Sequence, residues 1–202
     1  MTILHIDSSI LGSQSVSRVL SADIVARKTA LHRHSKVIYR DLAKDTVLQL
    51  SDRHLAVFHG AAVTDPELGA DLAVGGAYID ELFEADVIVI GAPMYNFTIP
   101  SQLKSWIDRV VVAGRTFKYD ENGVEGLVKG KKLFIASARG GVYTGDSPAA
   151  FLDHQEKYLK GMLGFIGLTD ITVIRAEGLN LGEEAKASAI AAAKQEIAAL
   201  AA

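Results

Sequence analysis

The sequence predicts an α/β protein in which helices cover both faces of a five-stranded parallel sheet. Five short apolar runs alternate with helical patterns along the chain, which is typical of a doubly wound sheet with right-handed crossovers. The run from Val87 to Ile90 is continuously apolar, as expected for a strand that is buried on both faces. A length of 202 residues with 49% hydrophobic residues suits one domain with a full core, and we assign residues 1–202 to it.

The strands and helices follow from the periodicity in chain order. Apolar runs predict strands at residues 3–6, 36–39, 87–90, 133–136 and 171–174. Helical patterns follow them at about 15–31, 51–62 with 67–84, 101–113, 148–164 and 184–201. Because three strands precede an aromatic loop, we predict a strand order of 2-1-3-4-5 rather than a six-stranded dinucleotide-binding sheet.

The spacing of apolar residues supports two of these helices in particular. The helix predicted at 101–113 has a single apolar stripe with positions i, i+3, i+4 and i+7: Leu103, Trp106, Ile107 and Val110. The first helix has a similar stripe of Val16, Val19, Leu20 and Ile24. The same pattern places Arg18, Ser21 and Lys28 on the other side of the first helix.

One segment interrupts the alternation of strands and helices. Residues 114–130 are about twice as long as a usual connection and contain Phe117, Tyr119 and an Asn122-Gly123 turn pattern. Long loops in compact domains are more often functional or interfacial than idle. We therefore expect this segment to contribute to a site or an interface.

The bulk properties exclude several classes of function. A net charge of −3 offers no basic surface for nucleic acid or for anionic lipid, and no apolar run is long enough to span a membrane. The chain has no cysteine, which removes disulfides, thiolate metal sites and thiol catalysis. We expect no metal site and no membrane or nucleic-acid partner. The missing cysteines and apolar leader favour a cytoplasmic location.

A hydroxyl-rich loop follows the first strand and leads into the first helix. It runs from Ser8 to Ser17, and free N–H groups at a helix start form an anion site. The Gly-x-Gly-x-x-Gly and Gly-Lys-Ser/Thr motifs are both missing, which favours a monophosphate over a pyrophosphate. The alternative is that Ser15 or Ser17 only caps the helix.

Two further loops follow the third and fourth strands. The first, Met94-Tyr95-Asn96-Phe97, combines two aromatic rings, a thioether and an amide, which suit a flat heteroaromatic ligand. The second contains Gly140 and Gly141, whose backbone N–H groups can approach a polar edge closely. Core packing and a flexible turn are the respective alternatives. Because parallel strands end at the same edge, the three loops should converge, and together they favour a flavin.

At these residues the chain resembles the bacterial FMN-dependent NADH:quinone oxidoreductases, also called FMN-dependent NADH-azoreductases. The resemblance covers almost the whole chain, and the Pro-Met-Tyr-Asn-Phe stretch is quite specific. The shared stretches are Ser8-Ser9 with Ser15-Val16-Ser17, Ala92-Pro-Met-Tyr-Asn-Phe97, Gln102-Leu-Lys104, Gly114-x-Thr-Phe-x-Tyr119, Glu121-Asn-Gly123, Glu125-Gly-Leu127, Arg139-Gly-Gly141 and Leu163-Gly-Phe-Ile-Gly167.

The resemblance implies a flavodoxin-like three-layer sandwich that forms a homodimer with one FMN per subunit. It also implies three sets of residues around the cofactor. Ser9, Ser15, Val16 and Ser17 would hold the phosphate, Met94, Tyr95, Asn96 and Phe97 would line the ring, and Ala138, Arg139, Gly140 and Gly141 would meet its polar edge. Phe97, Tyr119 and Met162 would line the substrate pocket, and Tyr119 and Met162 could reach the partner subunit's flavin.

Two positions depart from the family pattern. Members often carry serine in place of Ala138, so any contact there must come from the backbone. Members often carry an aromatic residue in place of Met162, which leaves substrate stacking and preference open.

The activity that the resemblance implies is a two-step, ping-pong transfer of two electrons. NADH or NADPH would reduce the flavin and leave, and a quinone or an aromatic azo compound would then take the same place. The flavin carries the chemistry, so we expect no catalytic protein nucleophile or general base. The alternative is a non-enzymatic electron carrier of the flavodoxin type. The weak net charge and the long 114–130 segment favour the enzyme.

Overall fold

The computed structural model describes residues 1–121 and 123–201. It contains a five-stranded sheet, a two-stranded hairpin and six α-helices within those residues. The strands of the sheet are β1 (Thr2–Asp7), β2 (Lys36–Asp41), β3 (Val87–Pro93), β6 (Lys132–Ala138) and β7 (Asp170–Ala176). The hairpin strands are β4 (Phe117–Asp120) and β5 (Gly123–Gly126). The helices are α1 (Val16–Leu31), α2 (Asp52–Phe58), α3 (Pro66–Glu84), α4 (Ser101–Val110), α5 (Glu156–Phe165) and α6 (Glu183–Ala198).

The sheet is parallel throughout and has the order β2-β1-β3-β6-β7. Counted within the sheet alone, this is 2-1-3-4-5, so the predicted strand order is confirmed. The strands start nearly level, since Ile3 lies beside Val87 and Val87 lies beside Lys132. The carboxyl ends of β1, β3 and β6 therefore lie together at one edge of the sheet.

Two apolar layers cover the sheet, one on each face. On the first face, side chains such as Ile88 and Ile90 pack with residues of α3, α4 and α5, including Trp106 and Leu159. On the other face, Ile3, Val89 and Phe134 pack with residues of α1 and α6 such as Leu20 and Ile197. This alternation along the strands produces the expected three-layer sandwich with helices on both faces.

The long segment after α4 contains the β4–β5 hairpin, whose strands pair antiparallel from Phe117 beside Gly126 to Asp120 beside Gly123. The Asn122 half of the predicted turn lies outside the described residues. Phe117 is buried and contacts Phe165 at the end of α5, with ring centroids 4.7 Å apart. This contact anchors the base of the hairpin on the main domain.

Four predicted helices are shorter in the structure. The helix expected at 101–113 ends at Val110, and the one expected at 184–201 ends at Ala198. The helix expected at 148–164 begins at Glu156, and only a short 3₁₀ turn, Ala150–Leu152, precedes it. The N-cap is Gln155, and the carboxylate of Asp153 accepts the otherwise free backbone N–H of Glu156 at 3.0 Å in the first turn. The helix expected at 51–62 ends at Phe58, shortly before Gly60 with φ of 96°.

The prediction for the polar side of α1 is wrong. Ser21 and Lys28 are buried, whereas Val19 is exposed. The Ser21 hydroxyl donates to the carboxylate of Asp7 at 2.7 Å, and the Lys28 ammonium donates to the carbonyl of Ala201 at 2.7 Å. These partners come from β1 and from the C-terminal segment, so α1 is covered on a wider arc than one apolar stripe.

Among the described residues, no helix combines the length and the apolar character needed to cross a bilayer.

Candidate functional site

A cavity of about 350 Å³ lies at the carboxyl edge of the sheet, and all three predicted loops line it. The first loop contributes Ser9, Ser15, Val16 and Ser17, the second Met94 and Tyr95, and the third Ala138, Arg139 and Gly140. The structure thus brings together residues that lie more than a hundred positions apart in the chain. Sequence reasoning missed six other lining residues: Leu11, Gln14, Pro93, Leu179, Asn180 and Lys186.

The serine loop forms the hydroxyl-rich end of this cavity. Ser15 is the N-cap of α1, and its hydroxyl accepts the backbone N–H of Arg18 at 3.3 Å. Ser15 therefore does cap the helix, as the alternative reading predicted. It also lines the cavity, where its hydroxyl lies 3.0 Å from the hydroxyl of Ser17. The first N–H groups of a helix, here those of Val16 and Ser17, have no partner within the helix. Hydroxyls, free N–H groups and the helix dipole together suit a phosphate.

Tyr95 joins the serine loop to the second loop. Its hydroxyl lies 3.1 Å from the Ser9 hydroxyl and accepts the backbone N–H of Ile10 at 3.3 Å. Its backbone pairs with Thr98 in both directions, with N–O distances of 2.9 and 3.0 Å. This tight turn fixes the aromatic loop after β3 against the first loop.

Asn96 and Phe97, which follow Tyr95, do not line the first cavity. Asn96 and Phe97 both have left-handed backbone, with φ of 48° and 67°. Asn96 lines an adjoining cavity of about 570 Å³, which shares Tyr95 with the first and also includes Lys104 and Tyr158. Phe97 is partly exposed and packs edge-on against Tyr143, with ring centroids 6.0 Å apart.

The glycine loop presents its backbone to the site. Among the described residues, no acceptor pairs with the N–H groups of Gly140 and Gly141, which leaves two donors available. Gly140 lines the cavity, and Gly141 follows it without lining it. A Cβ on Gly140 would lie 2.5 Å from the side-chain amide nitrogen of Asn180, so a larger residue here would displace the Asn180 side chain that lines the cavity.

The side chain of Arg139 faces the interior of the protein. It is fully buried and donates to Gln155 at 2.9 Å, to Glu177 at 3.1 Å and to Asp153 at 3.2 Å. Glu177 also accepts the backbone N–H of Tyr143 at 2.9 Å, so this buried network connects to the chain just after the two glycines. The charge of Arg139 is neutralised by these carboxylates. Its backbone N–H already donates to the carbonyl of Ala176 at 2.9 Å, so Arg139 lines the cavity without offering it a free donor.

Neither of the two cavities described above is lined by Tyr119 or Met162, which we expected to line the substrate pocket. Tyr119 lies on β4 with 71% of its surface exposed. Met162 lies on α5 and packs partly buried against the apolar core beside that helix. Within one subunit, neither side chain meets the aromatic loop in these cavities.

A polar cluster that the sequence did not reveal lies beside the serine loop. Register places Tyr39 beside His5 and Asp41 beside Asp7 on the neighbouring strands β1 and β2. Burial and the nearby carboxylate of Asp7 raise the pKa of Tyr39 to about 12, so its hydroxyl stays protonated and donates to Asp7 at 3.1 Å. Strand alternation alone could have placed these residues together once the β1–β2 register was known.

The residues present fit FMN. The serine end supplies hydroxyl and N–H donors for a monophosphate, and Met94, Leu11 and Leu179 supply apolar walls. The glycine loop supplies backbone donors for the polar edge of a flavin ring.

Comparison with known proteins agrees with this fit. A family model described as a flavodoxin-like fold matches residues 1–201. An FMN-dependent NADH:quinone oxidoreductase of Sinorhizobium medicae is 52% identical over 198 residues, covering 98% of this chain and 96% of the relative. A relative of the same name from Azospirillum brasilense is 51% identical, covering 100% of this chain and 98% of the relative.

Solved structures show the same relationship. An azoreductase from Bacillus anthracis str. Sterne superposes with a TM-score of 0.88 at 32% identity, covering 98% of this chain and 97% of that one. An FMN-dependent NADH-azoreductase from B. anthracis str. Ames Ancestor, solved in complex with FMN, gives a TM-score of 0.86 at 27% identity, covering 98% and 95%. The fold, the converging loops and the full-length identity lead to one conclusion: this chain belongs to the family of FMN-dependent NADH:quinone oxidoreductases with a flavodoxin-like fold.

Proposed function

We propose that this protein is an FMN-dependent oxidoreductase that transfers two electrons from NADH, through bound FMN, to quinones and aromatic azo compounds. The observation that carries the proposal is the single cavity lined by the loops after β1, β3 and β6. The names of the quinone oxidoreductase relatives and of the azoreductase structures support the activity and the donor.

The protein's own residues would bind and orient the cofactor. Ser9, Ser15 and Ser17 would donate hydroxyls to the phosphate, and the free N–H groups at the start of α1 would add to them. Met94 and Tyr95 would cover the ring, and Asn96 would bond to its edge. Ala138 and Arg139 would line the pyrimidine side, where the backbone N–H groups of Gly140 and Gly141 would donate. FMN supplies the two-electron redox chemistry when it is bound.

The substrates would use one place in turn, in a ping-pong order. The ring of Phe97 is partly exposed and follows Met94 and Tyr95, which line the cavity, and it would stack against the donor and then the acceptor. NADH is the donor given in the names of the relatives. The cytoplasmic location expected from the sequence stays a prediction.

We also propose a homodimer, in which Tyr119 and Met162 would complete the partner subunit's substrate pocket. Tyr119 is highly exposed on a hairpin that its own subunit's cavities do not use. An exposed aromatic side chain on a well-ordered strand is suited to an interface. Met162, more flexible than an aromatic ring, would tolerate acceptors of different shapes.

The test is an anaerobic titration of the FMN-reconstituted protein with NADH, followed by the visible absorbance of the flavin. We expect NADH to bleach the flavin band and benzoquinone to restore it, because both half-reactions use the same cofactor. Benzoquinone mixed with NADH and free FMN is the control. A bound flavin that NADH leaves oxidised would instead support the electron carrier, and failure to bind FMN would overturn both.

A further inference from the structure

Arg18 contacts both sides of the candidate phosphate site without lining that cavity itself. Its guanidinium donates to the carbonyl of Ser9 from Nε at 3.2 Å and from Nη2 at 2.7 Å. Its backbone N–H donates to the hydroxyl of Ser15 at 3.3 Å. One residue in the first turn of α1 therefore connects the start of the loop after β1 to the helix cap.

Asp41, at the end of β2, holds the guanidinium in place. Its carboxylate oxygens accept from Nη2 at 2.5 Å and from Nη1 at 3.0 Å, which is a two-point contact. The Asp41 side chain is buried, and Nη1 also donates to the hydroxyl of Tyr39 at 3.1 Å. Because protein acceptors occupy every nitrogen of the guanidinium, Arg18 acts on the loop and not directly on a ligand.

The carbonyl of Ser9 controls the position of groups that do line the cavity. A peptide is planar, so holding this carbonyl also fixes the direction of the Ile10 N–H, which donates to Tyr95. The Ser9 hydroxyl lies 3.1 Å from the same tyrosine oxygen and accepts the N–H of Leu11 at 3.3 Å. Rotation of this peptide would turn the Ile10 N–H away from Tyr95, and the hydroxyl of Tyr95 is also the partner of the Ser9 hydroxyl.

We propose that Arg18, anchored by Asp41, is a positioning residue that orients Ser9 for the phosphate of the flavin. The proposal rests on the FMN site proposed above and adds a residue outside the cavity that sets its affinity for the phosphate. It makes a specific demand: disturbing the Arg18–Asp41 pair must weaken binding of FMN and spare binding of riboflavin, which has the same ring and no phosphate.

The test compares FMN and riboflavin affinities of the Arg18→Lys and Asp41→Asn variants with those of the unmodified protein. Lysine keeps the charge but cannot hold the Ser9 carbonyl and the carboxylate with a planar fork. We expect the Kd for FMN to rise about tenfold in each variant, the loss typical of one misplaced hydrogen bond to a charged group. The Kd for riboflavin should stay unchanged.

Asp41→Asn separates positioning from simple attraction. The substitution removes a negative charge near the phosphate, so attraction alone would strengthen FMN binding. Positioning requires the opposite result, because Arg18 loses its anchor. The matched control is Arg40→Lys, which breaks the pair between neighbouring Arg40 and Glu81 without touching the serine loop.

A second readout is the ³¹P resonance of bound FMN, which should shift in both test variants and not in Arg40→Lys. Equal loss of FMN and riboflavin binding, or an unchanged ratio of the two with an unchanged ³¹P resonance, would overturn the positioning role. Tighter FMN binding by Asp41→Asn would do the same. Failure of the unmodified protein to bind either flavin would refute the proposed function, which is a different result.

Discussion

The loop after β3 depends on two residues with left-handed backbone, Asn96 and Phe97. Asparagine tolerates this conformation better than most residues, whereas an aromatic residue rarely adopts it. Strained backbone of this kind persists where the surroundings hold it, and here the Tyr95–Thr98 pair and the 3.1 Å bond from His154 N–H to the Phe97 carbonyl do so. The loop is thereby fixed before any ligand binds.

Asn96→Ala and Asn96→Gly test the amide of Asn96 separately from its backbone. Both remove the hydrogen bond proposed to the flavin edge, but only alanine adds left-handed strain. We expect both variants to raise the Kd for FMN by about tenfold, the loss of about one hydrogen bond. Fluorescence titration of FMN measures it. A glycine variant with wild-type affinity would mean that the amide makes no contact with FMN.

The contrast between Arg139 and the glycines after it shows what sequence reasoning could reach at this scale. The prediction that the loop after the fourth strand lines a cavity required only local chain geometry, and Gly140 does line it. The burial of the Arg139 side chain required knowledge of Asp153 and Glu177, which come from other segments of the chain. Long-range ion pairs leave no periodic pattern in a sequence, so this network could not be predicted.

The helices on one face of the sheet are joined by a buried polar cluster of Asp71, His54 and Arg109. The Asp71 carboxylate accepts from Arg109 at 2.7 Å and from the Leu48 N–H at 2.6 Å, and it lies 3.0 Å from His54. These residues come from α2, α3 and α4 and from the chain before α2. The cluster therefore fixes the positions of these three helices relative to one another.

We predict that this cluster makes stability depend on pH in acid. Burial alone would raise the pKa of Asp71, but the bonds from Leu48, Arg109 and His54 outweigh it and hold the pKa below its ordinary value. Ionised Asp71 thus contributes stability that is complete above the unfolded pKa of about 3.9 and is lost as pH falls through the folded pKa. Urea unfolding should show a declining unfolding free energy below about pH 5.

Asp71→Asn is the matching variant for that pH series. At pH 7 we expect it to lower the unfolding free energy by about 3 kcal/mol, because Arg109 stays buried without its counter-ion. Its loss of stability in acid should be smaller than that of the unmodified protein. Parallel pH profiles for the two proteins would show that Asp71 does not carry the effect.

Element types were predictable because apolar periodicity is a local property, and all five strands of the sheet occur where their apolar runs predicted them. Element boundaries were harder to predict than element types. At the start of α5, for example, Asp153 accepts the backbone N–H of Glu156, a contact that apolar periodicity does not reveal. The buried side of α1 was wrong for a related reason. Ser21 and Lys28 are polar, and only the tertiary partners Asp7 and Ala201 make their burial favourable.

The whole molecule leaves several large apolar side chains exposed. Tyr119 and Phe151 are each 71% exposed, and Leu181 is 66% exposed. They come from the hairpin, the 3₁₀ turn before α5 and the segment before α6. Single exposed apolar residues are ordinary, but several large ones favour an interface.

We therefore predict that the protein is a dimer and that Tyr119 acts across its interface. Sedimentation velocity of the FMN-loaded protein should give twice the mass of one chain. Tyr119→Ala should leave FMN affinity unchanged and raise the KM for a quinone about threefold to tenfold, as expected for one lost aromatic contact. Phe83→Ala, which removes an exposed aromatic side chain at the far end of α3, is the control. A monomer at every concentration would contradict the dimer. It would also leave Tyr119 no flavin within reach, because the side chain lines neither cavity of its own subunit.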